Sequence, residues 1–276
     1  MKNLLCSIIL FSFHFLLQPL CAQTYEQTVE NGLKAADKGE YSVAEDFFRK
    51  ALLMSPNDYR NSLLYANLAK VQQAQGKSLK AIDSYSLALN ITPLNIPILQ
   101  SRADLYFELG NYKKAVIDYG KIIDKDPLNT NALQACAYIY QQLEEYDKAS
   151  QCYDKLLDID PQNYTALLGT AILQHNTKHT GEAISILTRL MESHPDKAEL
   201  YSIRAEIEAE NHQTELALID LDKAIELDPG NSNTVLTRAY LHKQRGNKRL
   251  ARHDFLRAIE LGVPRASLKK ELKEVK

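Results

Sequence analysis

The chain has no tryptophan, and its 276 residues include only ten glycines, nine prolines and three methionines. All-β and loop-rich folds spend more Gly and Pro on turns, so this scarcity favours helices. A charge excess of one sign is missing too: 33 Lys and Arg stand against 35 Asp and Glu, a formal −2. Proteins that hold nucleic acid carry a basic excess to meet phosphates, so a nucleic-acid partner is not expected. No stretch beyond residue 22 approaches 18 apolar residues, and no later segment reads as a membrane span. Gly-rich phosphate loops, nucleophile elbows and His-Glu-x-x-His motifs are all missing. No catalytic group, cofactor or metal is expected. His175 and His179 are spaced i, i+4, but they straddle the expected end of a helix and have no third ligand nearby, so they read as surface residues.

The first 22 residues read as a secretory signal peptide. Lys2 is followed by an almost unbroken apolar run, Leu4 to Leu17, and then by Pro19, Leu20, Cys21 and small Ala22. Cleavage after Ala22 makes the chain an exported one, periplasmic or secreted. A retained N-terminal anchor is the alternative reading. Leu20 before Cys21 argues against a lipoprotein.

What is abundant is internal order. Pro93, Pro127, Pro161, Pro195 and Pro229 lie 34 residues apart, and Ala81, Ala115, Ala149, Ala183 and Ala217 each precede one of them by twelve. Ala44 and Pro56 keep the relation, displaced by a three-residue insertion, 59–61. Seven units follow: 25–58, 62–95, 96–129, 130–163, 164–197, 198–231 and 232–265. The eighth position is always small, from Gly32 and Ala69 to Ala239, and the twentieth is always Ala. The twenty-fourth is always large and apolar: Phe48, Tyr85, Tyr119, Tyr153, Leu187, Leu221, Phe255. Small residues let two helices of a unit approach closely, the large one fills the gap between neighbours, and proline stops the second helix. Residues 266–276 read as a capping helix. Ser267 is expected to cap it, Leu268, Leu272 and Val275 to form its apolar stripe, and its lysines to face water.

This pattern resembles the tetratricopeptide repeat family, and the stretch from Lys223 to Pro229 is close to that family's usual unit ending. The resemblance covers 25–265. It implies an all-α, right-handed superhelical solenoid of seven helix-turn-helix repeats. It also implies a function of binding other proteins.

Two positions vary together within the sequence. Arg102, Arg204 and Arg238 occupy the seventh position where Asp118, Asp220 and Asp254 occupy the twenty-third. They are expected to pair across the two helices of a unit, as partly exposed ion pairs worth roughly 0 to 1 kcal/mol. In the fourth unit the same positions hold Cys136 and Cys152. They either form a disulfide, as the compartment of an exported protein permits, or sit as two buried free thiols.

The second, fifth, ninth and twelfth positions form a helix stripe that the repeat core does not use. By resemblance to the family, the first helices line a concave groove and this stripe faces the partner. It comprises Gln100, Asp104 and Phe107; Asn131, Gln134, Tyr138 and Gln141; Leu168, Ile172 and His175; Glu206 with Glu199 and Ser202; and Tyr240 and Lys243 with Leu236. Leu168 with Ile172 reads as an apolar spot. The family's carboxylate clamp is not expected, since only Asn67 fits among Val29, Leu33, Asn67, Pro97 and Ser101. The basic stretch Lys243, Arg245, Lys248, Arg249, Arg252 reads as solvent-facing. The expected function is an exported adaptor or scaffold holding a peptide or partner protein in the groove. The alternatives are a self-assembling envelope component and, behind it, an enzyme with an unrecognised site.

Overall fold

The computed structural model describes residues 23–276. The segment read as a signal peptide, 1–22, lies outside the described residues. All fifteen elements among the described residues are α-helices. Two compact units divide the chain, one ending at Pro93 and the other starting at Leu94.

The first unit holds α1 (Tyr25–Asp37), α2 (Tyr41–Met54), α3 (Asn61–Ala74) and α4 (Ser78–Ile91). Thr24 starts α1 with a reciprocal capping box: its hydroxyl accepts from the Gln27 amide, and the Gln27 side chain accepts from the Thr24 amide. Phe48, Ala44 and Ala51 are fully buried, together with Leu64 and Leu68 of the next pair. Gly32 is small because a Cβ there would lie 2.5 Å from the Phe48 ring. The insertion also has a structural role. Asn61 is fully buried at the start of α3, where its amide donates to the Ser55 carbonyl at 2.6 Å and its oxygen accepts from the Tyr25 hydroxyl at 3.0 Å. Nearby, burial would raise the Glu45 carboxyl, but hydrogen bonds from Lys77, Arg49, Gln72 and Gln75 more than offset that and hold it down to about 2.

The second unit holds α5 (Ile96–Glu108), α6 (Tyr112–Lys125), α7 (Thr130–Gln142), α8 (Tyr146–Ile159), α9 (Tyr164–Asn176), α10 (Thr180–Ser193), α11 (Ala198–Glu210), α12 (Thr214–Leu227), α13 (Ser232–Gln244), α14 (Lys248–Glu260) and α15 (Lys269–Glu274). Four of its first helices begin at an asparagine. Asn95, Asn129, Asn163 and Asn231 each accept a backbone N–H of the first turn through the side chain, a cap worth about 1 kcal/mol. Consecutive helices pack as antiparallel neighbours, pair by pair. The alanines at the eighth and twentieth positions, from Ala103 and Ala115 to Ala239 and Ala251, have no solvent exposure.

The turn inside every repeat passes through a left-handed residue at the fifteenth position. Gly39, Gly76, Gly110 and Gly246 fill it in four repeats, while Glu144, Lys178 and His212 fill it in three, at φ of 59°, 69° and 61°. Glycine adopts this conformation freely, whereas a residue with a Cβ pays a steric cost.

The cap differs from the expectation at its start. Leu268, not Ser267, occupies the N-cap of α15, and the Ser267 hydroxyl donates to the Pro264 carbonyl at 2.7 Å. The turn after Pro264 uses that hydroxyl, and the helix is only six residues long. Leu268, Leu272 and Val275 are buried against Ala239, Ala251 and Phe255, and the four lysines of the segment are exposed.

Candidate partner-binding site

Within the second unit the first helices of successive repeats touch directly, α7 with α9 and α11 with α13. Side chains join the others: Phe107 of α5 meets Tyr138 of α7 edge-on at 5.5 Å, and Tyr164 and His175 of α9 reach Glu199 and Glu210 of α11. Ser202 and Thr234 bridge α11 and α13 at 3.1 Å. The stripe is therefore carried on helices that already form one face.

Its members are not equally available. Asp104 accepts from Gln100 at 2.7 Å and from the Tyr119 hydroxyl, and Gln141 accepts from the Tyr153 hydroxyl at 2.9 Å. Lys243 is paired with Glu274 of the cap at 2.6 Å. His175 lies 3.2 Å from Glu210, and its Nδ1 is buried with no partner among the described residues. Leu168 and Ile172 are both half-buried, and Leu168 packs against the core around Leu187 and Leu200. The apolar spot is thus less open than its position in the sequence suggests, because Leu168 leans into the repeat contact.

Asn131, Gln134, Tyr138, Ile172, Glu206 and Tyr240 remain without hydrogen-bond or ionic partners among the described residues. Tyr138 is 45% exposed and Tyr240 42% exposed. Each rests edge-on against a phenylalanine, Tyr138 on Phe107 and Tyr240 on Phe255 at 5.2 Å. Ring-to-ring contact fixes the tyrosines without covering them, which lowers the entropy that a ligand must remove. Burial and the charge of Glu210 raise the Glu206 carboxyl, with His175 opposing.

The seventh and twenty-third positions meet in the three repeats where they hold arginine and aspartate. Arg102 Nε and Nη2 donate to the two oxygens of Asp118 at 2.7 and 2.8 Å, and Arg238 holds Asp254 at 2.8 and 2.9 Å. The aspartates are buried while the arginines keep part of their surface exposed. Arg204 and Arg238 reach further, to Thr188 and Asp222 of the preceding repeat. Nothing in the sequence spacing signalled that second contact. Cys136 and Cys152 are both buried free thiols. Burial, then the nearby Cys152, pushes the Cys136 thiol up to about 12. His175 ends one helix and His179 caps the next, where its ring meets the Thr177 hydroxyl.

Three tetratricopeptide repeat family models match, at residues 96–127, 130–163 and 153–207. A tetratricopeptide repeat protein from Parabacteroides merdae is 31% identical, with a TM-score of 0.67, over 91% of this chain and 98% of that one. The chain belongs to the tetratricopeptide repeat family. Such repeats are protein–protein interaction scaffolds, and proteins built from them are generally not enzymes. The structure of YrrB, described as a repeat protein with an unusual peptide-binding site, is similar at 21% identity, with a TM-score of 0.54 over 66% of this chain and 92% of that one. The photosystem I assembly protein Ycf3 of Prochlorococcus marinus is 27% identical over 82 residues, 30% of this chain and 47% of that protein. The chain thus spans about half the length of the curated relatives it matches. No described helix is long and apolar enough to cross a membrane.

Proposed function

We propose that the chain is an exported adaptor that holds an extended peptide or a segment of a partner protein along the first helices of its second unit. The observation that carries this reading is the pair of exposed tyrosines, Tyr138 and Tyr240, each held by a buried or half-buried phenylalanine on the face left free of the repeat core. Rigid aromatic anchors supply contact area at low entropic cost, and Asn131 and Gln134 offer donors and acceptors to a peptide backbone. YrrB offers a precedent for peptide binding on this architecture and Ycf3 one for assistance in assembly. Export rests on the character of residues 1–22 alone, and a periplasmic or secreted location is part of the proposal.

Affinity capture from an envelope fraction tests it, with the parent chain beside Tyr138→Ala/Tyr240→Ala. A protein retained by the parent and lost by an equally folded variant supports the assignment. Identical sets on both baits reject it. Self-association has its own observation, the exposed Leu53, Leu63 and Leu79 of the first unit. It predicts a concentration-dependent mass that Leu53→Ser and Leu79→Ser abolish.

A further inference from the structure

The last two thirds of the final repeat and the cap gather a positive excess that the rest of the chain does not have. From Lys243 onward there are eleven Lys and Arg against four Asp and Glu, while residues 1–242 hold 22 against 31. Much of this excess surrounds a cleft of about 520 Å³ between α14 and the cap segment. Leu256 and Leu272 form its apolar part, and Arg252, Arg265, Lys269, Lys273 and Lys276 stand around them. No acidic side chain lines it. Three of the segment's four acids are paired elsewhere, Asp254 with Arg238, Glu260 with Arg257 and Glu274 with Lys243, and Glu271 has one carboxylate oxygen buried without a hydrogen-bond partner.

Arg252, Arg265, Lys269 and Lys273 make no ion pair or side-chain hydrogen bond among the described residues. Lys276 is unpaired too, as are Lys248, Arg249 and Lys270 outside the cleft, whereas Lys243, Arg245 and Arg257 each find a carboxylate. Lys269 and Lys273 are also spaced i, i+4 on one short helix, where like charges repel. The cap's packing explains why they stay there: burial of Leu268, Leu272 and Val275 turns the lysines outward. It does not explain why five uncompensated cations converge on one hollow.

We propose that this cleft binds an acidic peptide segment carrying one apolar side chain. The carboxylates would meet the five cations, and the apolar group would enter between Leu256 and Leu272. A membrane is the less fitting anionic surface. Bilayer binding needs apolar side chains that protrude into the headgroup region, and here the leucines lie within the hollow. Of the large hydrophobic residues from 243 to 276, Leu250 alone is exposed, and it does not line the cleft. No residue of the tyrosine-bearing stripe lines the cleft, so the two assignments are tested by different substitutions.

Fluorescence anisotropy with the purified full-length chain tests the proposal. The probes are a labelled Glu-Asp-Leu-Glu-Glu peptide, the same peptide with serine for leucine, phosphatidylglycerol vesicles and a single-stranded oligodeoxythymidine. The leucine peptide is expected to bind, less tightly as salt rises, and to lose about tenfold or more in Arg252→Glu/Arg265→Glu. Lys269→Ala/Lys273→Ala should weaken it in the same direction, the serine peptide should bind less tightly, and Tyr138→Ala/Tyr240→Ala should bind it as the parent does. All substituted cleft residues are exposed, and circular dichroism checks that the variants keep their helices. Absent peptide binding overturns the proposal, as does equal binding by the charge variants or by the serine peptide. Tighter binding of vesicles or oligodeoxythymidine than of the leucine peptide, lost in the same variants, also overturns it in favour of that ligand.

Discussion

Arg204 grips Asp220 through two hydrogen bonds, 2.6 and 2.8 Å, while Glu208 sits one turn along the same helix with an oxygen 3.9 Å from the same guanidinium. The pairing satisfies Asp220 and leaves Glu208 in second place, buried, with Oε2 lacking a hydrogen-bond partner.

Stability around this site should fall as pH rises. Burial and then the Asp220 charge push the Glu208 carboxyl up to about 7 from an ordinary 4.5, against the opposing pull of Arg204. Between those values the folded chain keeps a proton that the unfolded chain has released, so each step up in pH favours unfolding. Above about 7 the loss is complete. Glu208→Gln should leave the melting temperature near its parent value at pH 4.5 and raise it at pH 8, by about 1 to 2 kcal/mol in stability. Thermal melts followed by circular dichroism at both pH values check this, and an equal shift at both contradicts it.

Cys136 and Cys152 occupy the positions where three other repeats hold an Arg–Asp pair. Cys152→Asp alone should place a buried carboxylate with Lys155 nearby but no arginine to satisfy both its oxygens, and cost about 3 kcal/mol. Adding Cys136→Arg should recover most of that loss. A double-mutant cycle by urea denaturation under reducing conditions reads the coupling. Intact mass of the purified 23–276 chain after alkylation without reductant shows whether the parent thiols pair under oxidising conditions: two labels mean free thiols, and none means a disulfide.

The left-handed turn residues Glu144, Lys178 and His212 each carry a Cβ that the other four repeats avoid. Lys178→Gly should relieve that strain and stabilise the chain by about 1 kcal/mol, even though glycine is normally a poor choice beside a helix. The same change at Lys148, inside α8, should destabilise by a similar amount. Chemical denaturation of the two variants side by side is the measurement.

Gly169 lies under the ring of Tyr153 from the preceding repeat, and a Cβ there would come within 2.2 Å of it. Gly169→Ala should therefore cost about 1 to 3 kcal/mol through overpacking. Tyr153→Leu, the residue found at that repeat position in the next two units, should rescue the alanine variant. Failure of the rescue would place the cost in the backbone instead.

The fold could be read from the sequence because a 34-residue period repeats the same demands. Alanine at the twentieth position and a bulky partner at the twenty-fourth are enough to locate every helix pair. The Arg–Asp pairs were legible for the same reason, since two columns changed together. Features that break the period were not legible. Asn61 lies in the insertion, where no repeat column describes it, and its burial follows from the close of the preceding turn. Glu144, Lys178 and His212 hide a shared backbone conformation behind unlike side chains. The stripe located Tyr138 and Tyr240, but helical spacing alone did not show that Lys243 is tied to Glu274 or that Leu168 leans into the core. The cationic cleft joins Arg252 to residues 265–273, which only the folded cap brings together.

The contacts described for each helix run chiefly to its neighbours along the chain. Such a chain closes no large loops as it folds, so its search is short, and relative contact order of this kind accompanies rapid folding. Each repeat can pair its two helices once roughly 34 residues have emerged, before the later ones exist. Order in such an array can start at any repeat and spread to its neighbours, and the Arg204 and Arg238 side chains, reaching back to Thr188 and Asp222, tie each of their repeats to the one before it.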